Sequence, residues 1–468
     1  MIYEVESIKK RNCIISLVLI LFIQILFIIL NSVYFIFNFS DSEWSFLFIF
    51  LICFILFLRA LNRASFISLY SLFFMTSLLF IGGRFIGNFL GYKESNIFEL
   101  DFFIYKKSSI YEATSLFYFV VVGFLSLEIG YYLSRIFIRN KNITYDKNKD
   151  IFLKNNTYIL YFIFIIIFTM IFSKMLDAIS SVLSGGYLSL FQNQTEAYGF
   201  NFFNLAKILL ISSCGIFLSQ SNKRIRILFL ILLGLYYFTD MILGGRGGFV
   251  CFLLFIVWYF YDYGLRKVNA IKLVILILII LIFLSTFFSL ISLRGGASEH
   301  SSIYQSVIAL IYEQGISMMV FNESRFIEDY PIIPYFQNFI AGFSFIYSKI
   351  FGVIYPYDTT FASFISYKLN PGLYDLGYGL GWSFFGDAYR YSGGNLIFYS
   401  VFIIFFSIFI NFLQFNVNNG LIWKVITISL VSSILFLPRS GLNTVFPLIP
   451  YILVLYFLVQ FLSKVLKK

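Results

Sequence analysis

Apolar runs long enough to cross a bilayer recur along almost all of this 468-residue sequence, and no other feature constrains its fold so tightly. About 20 apolar residues wound as a helix match the hydrocarbon thickness of a membrane, where a backbone must satisfy its own polar groups. With 60% hydrophobic and 12% charged residues, the chain carries more apolar surface than a soluble core could absorb. The expected fold is an all-α integral membrane protein of about twelve transmembrane helices. The first run, Ile14 to Phe37, is too long for a cleavable signal and lacks a small-residue cleavage site.

Basic residues orient the runs. Lys9-Lys10-Arg11 places the N-terminus in the cytoplasm, because cytoplasmic loops carry the excess of Lys and Arg. The turn Asn38–Glu43 is then outside, and the second span runs from Trp44 to about Leu58, returning at Arg59 and Arg63. Phe66–Ile86 and Tyr111–Leu133 follow and lead into a strongly basic inner loop holding Arg135, Arg139, Lys141, Lys147, Lys149 and Lys154. Spans five and six are Thr157–Met175 and Phe203–Leu218; spans seven and eight, Ile227–Leu243 and Phe249–Tyr263, form a hairpin whose outer tip is Gly244-Gly245-Arg246-Gly247-Gly248. The ninth span, Leu273–Leu293, precedes the longest interruption in the pattern. Leu396–Phe415, Leu421–Leu437 and Val445–Leu462 complete the set, and Lys464, Lys467 and Lys468 put the C-terminus inside.

Three regions result: residues 1–293 with spans one to nine, a large outer loop over 294–395, and residues 396–468 with the last three spans. The loop carries the chain's one histidine, His300, and the aromatic, glycine-rich stretch Tyr374–Tyr391. Its apolar pieces Ile303–Phe321 and Asn338–Val353 are interrupted by Glu313, Gln314, Gly342 and Lys349, which favours interfacial or re-entrant helices over a further spanning pair. The net charge of +11 fits basic cytoplasmic loops and calls for no nucleic acid. Cys13, Cys53, Cys214 and Cys251 lie in or beside apolar runs without metal-ligand spacing, as buried free thiols do. No cofactor or metal is expected.

The arginines break the charge pattern. Arg84, Arg246, Arg294, Arg325, Arg390 and Arg439 all fall on the outer side, against the bias. Three have glycine neighbours, in Gly82-Gly83-Arg84, at the hairpin tip, and in Arg294-Gly295-Gly296. A guanidinium pairs bidentately with phosphate oxygens and keeps its charge in a low dielectric, while glycine lets a backbone approach a ligand closely. One outer arginine could simply snorkel to headgroups. Six together point to a lipid-linked pyrophosphate, with Arg84, Arg246, Arg294, Arg325 and Arg439 as its ligands.

The Gly-Arg-Gly hairpin tip midway along the chain, the large late outer loop and the cytoplasmic ends resemble the Wzy-type repeat-unit polymerases of O-antigen and capsule assembly. The likeness covers nearly the whole chain, although the spaced arginine–glycine pattern of paired loops in some members is not cleanly reproduced. It implies glycosyl transfer at the outer face of the bacterial inner membrane. A growing glycan would move from its polyprenyl diphosphate onto a hydroxyl of a second lipid-linked repeat unit. Arginines would stabilise the leaving diphosphate in place of a divalent ion. Arg246, Arg294, Arg390, Glu299, His300 and Asp387 are the candidate catalytic groups, with Glu313, Glu323 and Asp375 as further candidate bases. Partners implied are the polyprenyl-diphosphate oligosaccharides, membrane lipids, and the chain-length regulator and flippase of the same route.

Other readings compete. A lipid-linked oligosaccharide flippase would show two similar halves and charges buried within spans; here the halves differ, and Glu128 and Lys207 lie near span ends. A polyprenyl-phosphate-dependent glycosyltransferase would use acidic residues of the first outer turn, which Asp41-Ser42-Glu43 could supply. The O-antigen ligase is barely separable by sequence.

Overall fold

The computed structural model describes residues 2–100, 103–137, 157–185, 202–219, 223–242, 246–261 and 303–465. Among these, seven helices are long and apolar enough to cross a membrane, or eight if one bent pair counts as a single span. The shorter apolar helices Lys207–Leu218 and Gly247–Phe260 coincide with expected spans six and eight. The ninth expected span lies outside the described residues, as do Arg294, Glu299 and His300. One small antiparallel pairing, Glu99–Leu100 with Lys106–Lys107, is an exception to the helical pattern.

The chain divides into two compact units. The first comprises Met1–Ile138, Val257–Phe326 and Phe385–Ile410; the second comprises Arg139–Ile256, Ile327–Phe384 and Asn411–Lys468.

The first unit is built around α5 (Ile110–Phe137), against which α1 (Ile2–Ser32) packs. Within their most apolar windows α5 is 94% buried and α1 only 28%, so α5 is the core and α1 faces outward. Helix α2 (Asp41–Leu61) starts where the Glu43 carboxylate accepts the Ser40 N–H at 2.7 Å, half of a capping box. Asp41 accepts the Ile97 N–H at 3.1 Å. These two acidic residues of the first turn thus make hydrogen bonds within the local fold.

The third expected span is broken, since α3 (Leu69–Phe80) and α4 (Gly83–Phe89) meet at 66°. A Cβ on Gly83 would lie 2.5 Å from the Ile311 carbonyl, and one on Gly315 would lie 2.4 Å from the Arg84 nitrogen. These glycines let α4 cross the helices α10 (Ile303–Gln314) and α11 (Ile316–Ser324) backbone to backbone. The first apolar piece of the long loop is therefore packed in protein, with Met318, Met319, Val320 and Phe321 buried.

Glu128 also departs from expectation. It is not near a span end but fully buried inside α5, 3.8 Å from Arg59 and accepting the Tyr70 hydroxyl at 2.9 Å. The Arg59 guanidinium lies over the rings of Tyr70, Phe74 and Tyr131.

In the second unit, α7 (Phe202–Leu218) is the hub for α6 (Thr157–Gly185), α8 (Lys223–Ile242), α18 (Leu421–Phe436) and α19 (Leu448–Val465). Gly215 allows α7 and α18 to touch, and its N–H donates to Ser429 Oγ at 2.8 Å. The second apolar piece of the long loop behaves differently from the first. Its helix α13 (Phe343–Phe351) buries no residue and exposes Phe345, Ile346, Ile350 and Phe351. Cys13, Cys214 and Cys251 are buried as expected, whereas Cys53 is exposed.

Candidate active site

Pro438 lacks an N–H and cannot continue α18, so the chain turns through the short 3₁₀ segments Leu437–Arg439 and Leu442–Thr444. That turn brings Arg439, Asn443 and Thr444 to the wall of a cavity of about 350 Å³. Helix α7 contributes Lys207 and Ile211 to it, α8 contributes Tyr236, Tyr237 and Asp240, and α18 contributes Ser432. The N-terminal part of α9 (Arg246–Tyr261) adds Gly247, Gly248 and Cys251. Two cations and one carboxylate leave the cavity electropositive. Lys207 is near enough to interact electrostatically with Asp240, and Arg439 with Cys251. The N-terminal turn of α9 adds backbone N–H groups that have no acceptor one turn back within the helix. Arg246 is the first residue of that helix, and its side chain lies outside what the structure describes.

The first unit gathers a second polar cluster. At the same end as the Phe35–Asp41 turn, the Arg325 guanidinium donates to Ser115 Oγ at 3.1 Å, to the Glu112 carbonyl at 3.3 Å and to Asn322 Oδ1 at 3.0 Å. Its Nε has no hydrogen-bond partner among the described residues. Burial pulls Arg325 down to about 10, still well above neutral pH, so it stays charged. Lys106 pairs with Glu323 at 3.1 Å and Glu112 at 3.5 Å. Arg390, on α16 (Phe384–Tyr391), donates to the Ser324 carbonyl, and Asp387 on the same helix is fully buried.

Arg84 has a structural setting. It is 2% exposed, donates to the Ile97 carbonyl at 3.0 Å and to the Glu99 carbonyl, and lies over the Tyr312 ring. Its charge anchors the loop that follows α4, and its flanking glycines serve helix packing. Of the further candidate bases, Glu323 is buried in the Lys106 pair, while Glu313 and Asp375 are exposed.

The structure thus brings the wall carrying Arg439 together with Gly247 and Gly248, which directly follow Arg246 far earlier in the chain. A family profile described as O-antigen polysaccharide polymerase Wzy matches residues 12–468. The chain belongs to this family. No curated protein and no solved structure matches it. For a Wzy family member the cavity includes two residues that sequence reasoning did not choose, Asp240 and Lys207. Each is a single charge at a span end, a pattern that usually means snorkelling. The available signal was position: Asp240 stands just before Gly244 and the glycine-rich tip.

Proposed function

We propose that this protein polymerises polyprenyl-diphosphate-linked repeat units, with the diphosphate of the donor held in the cavity of the second unit. The family match supports the reaction class, and the cavity's positive charge beside a helix N-terminus supports the placement. Lys207 and Arg439 would meet the charge that grows on the diphosphate as the anomeric C–O bond breaks, with Arg246 as a further candidate ligand. Asp240 would take the proton from the attacking hydroxyl as the new glycosidic bond forms. Arg294, Glu299 and His300 stay in the proposal as further groups for charge and proton transfer, and Arg325, Arg390 and Asp387 as a polar framework within the first unit. Arg84 is left out of it, because its guanidinium is used inside the fold.

The reaction would take place at the outer face of the inner membrane, with both termini cytoplasmic, alongside a flippase and a chain-length regulator. It is tested with purified protein and lipid-diphosphate repeat units. Arg439→Ala should lower elongation about 10²–10³-fold, the usual effect of removing one preorganised charge donor. Arg439→Lys should recover little of it, because a point charge does not reproduce the planar fork. Asp240→Asn should abolish elongation while binding of the lipid diphosphate persists. Normal elongation in the Arg439→Ala and Asp240→Asn variants would exclude this cavity.

A further inference from the structure

We infer that a second cavity, in the first unit, is a binding subsite for an uncharged sugar ring of the glycan, an assignment that rests on the polymerase reading. The cavity measures about 210 Å³ and lies where α1 ends and α5 begins, with Asn31, Tyr34, Tyr111, Ser115, Tyr118 and Tyr389 in its wall. Ser115 is the residue through which Arg325 reaches it.

Charge separates this cavity from the one in the second unit. Behind it, Lys106 pairs with both Glu112 and Glu323, and the formal charges of Lys106, Arg325 and Arg390 are offset by those of Glu112, Glu323 and Asp387. Nothing there selects an anion. The lining instead offers hydroxyls, an amide and tyrosine rings, groups that donate and accept hydrogen bonds around an apolar face. A pyranose presents the complementary pattern, hydroxyls at its rim and C–H bonds on its face.

Tyr34 supplies the second observation. Helix α1 ends in a Schellman motif, with Phe35 N–H bonded to the Leu30 carbonyl at 3.0 Å and Tyr34 N–H to the Asn31 carbonyl at 3.1 Å. Tyr34 occupies the left-handed position of that motif, at φ 53°, where glycine is the relaxed choice. Its side chain is 72% exposed, so core packing does not offset the strain. Interfacial tyrosines commonly anchor helices at the headgroup level, but that role does not require a left-handed residue. A bulky aromatic held in a strained position on a cavity wall is the kind of local strain that clusters at ligand sites.

Tyr34→Gly separates the two roles, because it relieves the strain and removes the ring. The probe is the repeat-unit oligosaccharide freed from its lipid by mild acid, titrated into the full-length protein in nanodiscs and followed by saturation-transfer NMR. Tyr34→Gly should hold or raise the Tm and weaken oligosaccharide binding at least tenfold, and Asn31→Ala should weaken it similarly. Unchanged binding in both variants would overturn the subsite, whatever the headgroup composition of the nanodisc. Arg439→Ala serves as the control for the underlying reading. It should retain oligosaccharide binding and lose elongation; wild-type protein that binds the oligosaccharide yet never elongates would sink the polymerase reading and leave the subsite standing.

Discussion

A methyl group added at position 248 would come to 3.3 Å from Asp240 Oδ2, closer than nearly all such contacts. Gly248 therefore leaves room beside the one carboxylate of the electropositive cavity. Alanine favours a helix over glycine by up to about 1 kcal/mol, so Gly248→Ala should keep or raise the Tm. The same substitution displaces the carboxylate by a few tenths of an ångström, and misplacement of reacting groups is costly. Elongation is expected to fall about tenfold or more. A variant that is both stable and fully active would show that Asp240 does not need its present position. Arg84 and Arg439 carry the matching lesson for reading sequences. Both are arginines expected on the outer side near a span end, yet one is enclosed by Ile97, Glu99 and Tyr312 and the other lines a cavity. An arginine against the charge bias is a reason to look at its neighbours, and only they tell what holds it.

At the level of helices, the seven or eight long apolar helices among the described residues were legible because length and apolarity are set by the bilayer, independently of which partner each helix meets. What the helices do with their interruptions was not. The break at Gly82-Gly83 depends on the close approach of Ile311 and Gly315, more than two hundred positions away. The two apolar pieces of the long loop look alike in composition, yet α11 is buried and α13 exposed, since tertiary neighbours decide burial. Glu128 was hidden for the same reason, because its partner Arg59 sits at the end of another helix, on a residue that also marks the inner loop. Removing one partner of a buried pair strands the other charge. Glu128→Gln should cost about 3–5 kcal/mol. The paired change Arg59→Met with Glu128→Leu should recover most of that loss, because both desolvation penalties disappear together. Thermal unfolding in detergent checks both, and a paired variant as unstable as Glu128→Gln alone would mean that the cation stack on Tyr70, Phe74 and Tyr131 matters more than the ion pair.

For the whole molecule, the two units carry polar cavities of different character. The second unit's cavity holds more positive than negative charge, and the first unit's is balanced and rich in hydroxyls. A polymerase needs both kinds of recognition, one for a diphosphate leaving group and one for sugars. A ligase shares that need, and a flippase does not need the general base that Asp240 is proposed to be. The decisive measurement is a gel of the surface polysaccharide from a strain lacking the gene, complemented with wild-type protein, Arg439→Ala or Asp240→Asn. Deletion and both variants should collapse the ladder to core plus a single repeat, with the variant proteins present at wild-type levels in the membrane. A full ladder from either variant would contradict the site, and loss of every repeat, the single-repeat band included, would contradict polymerisation itself.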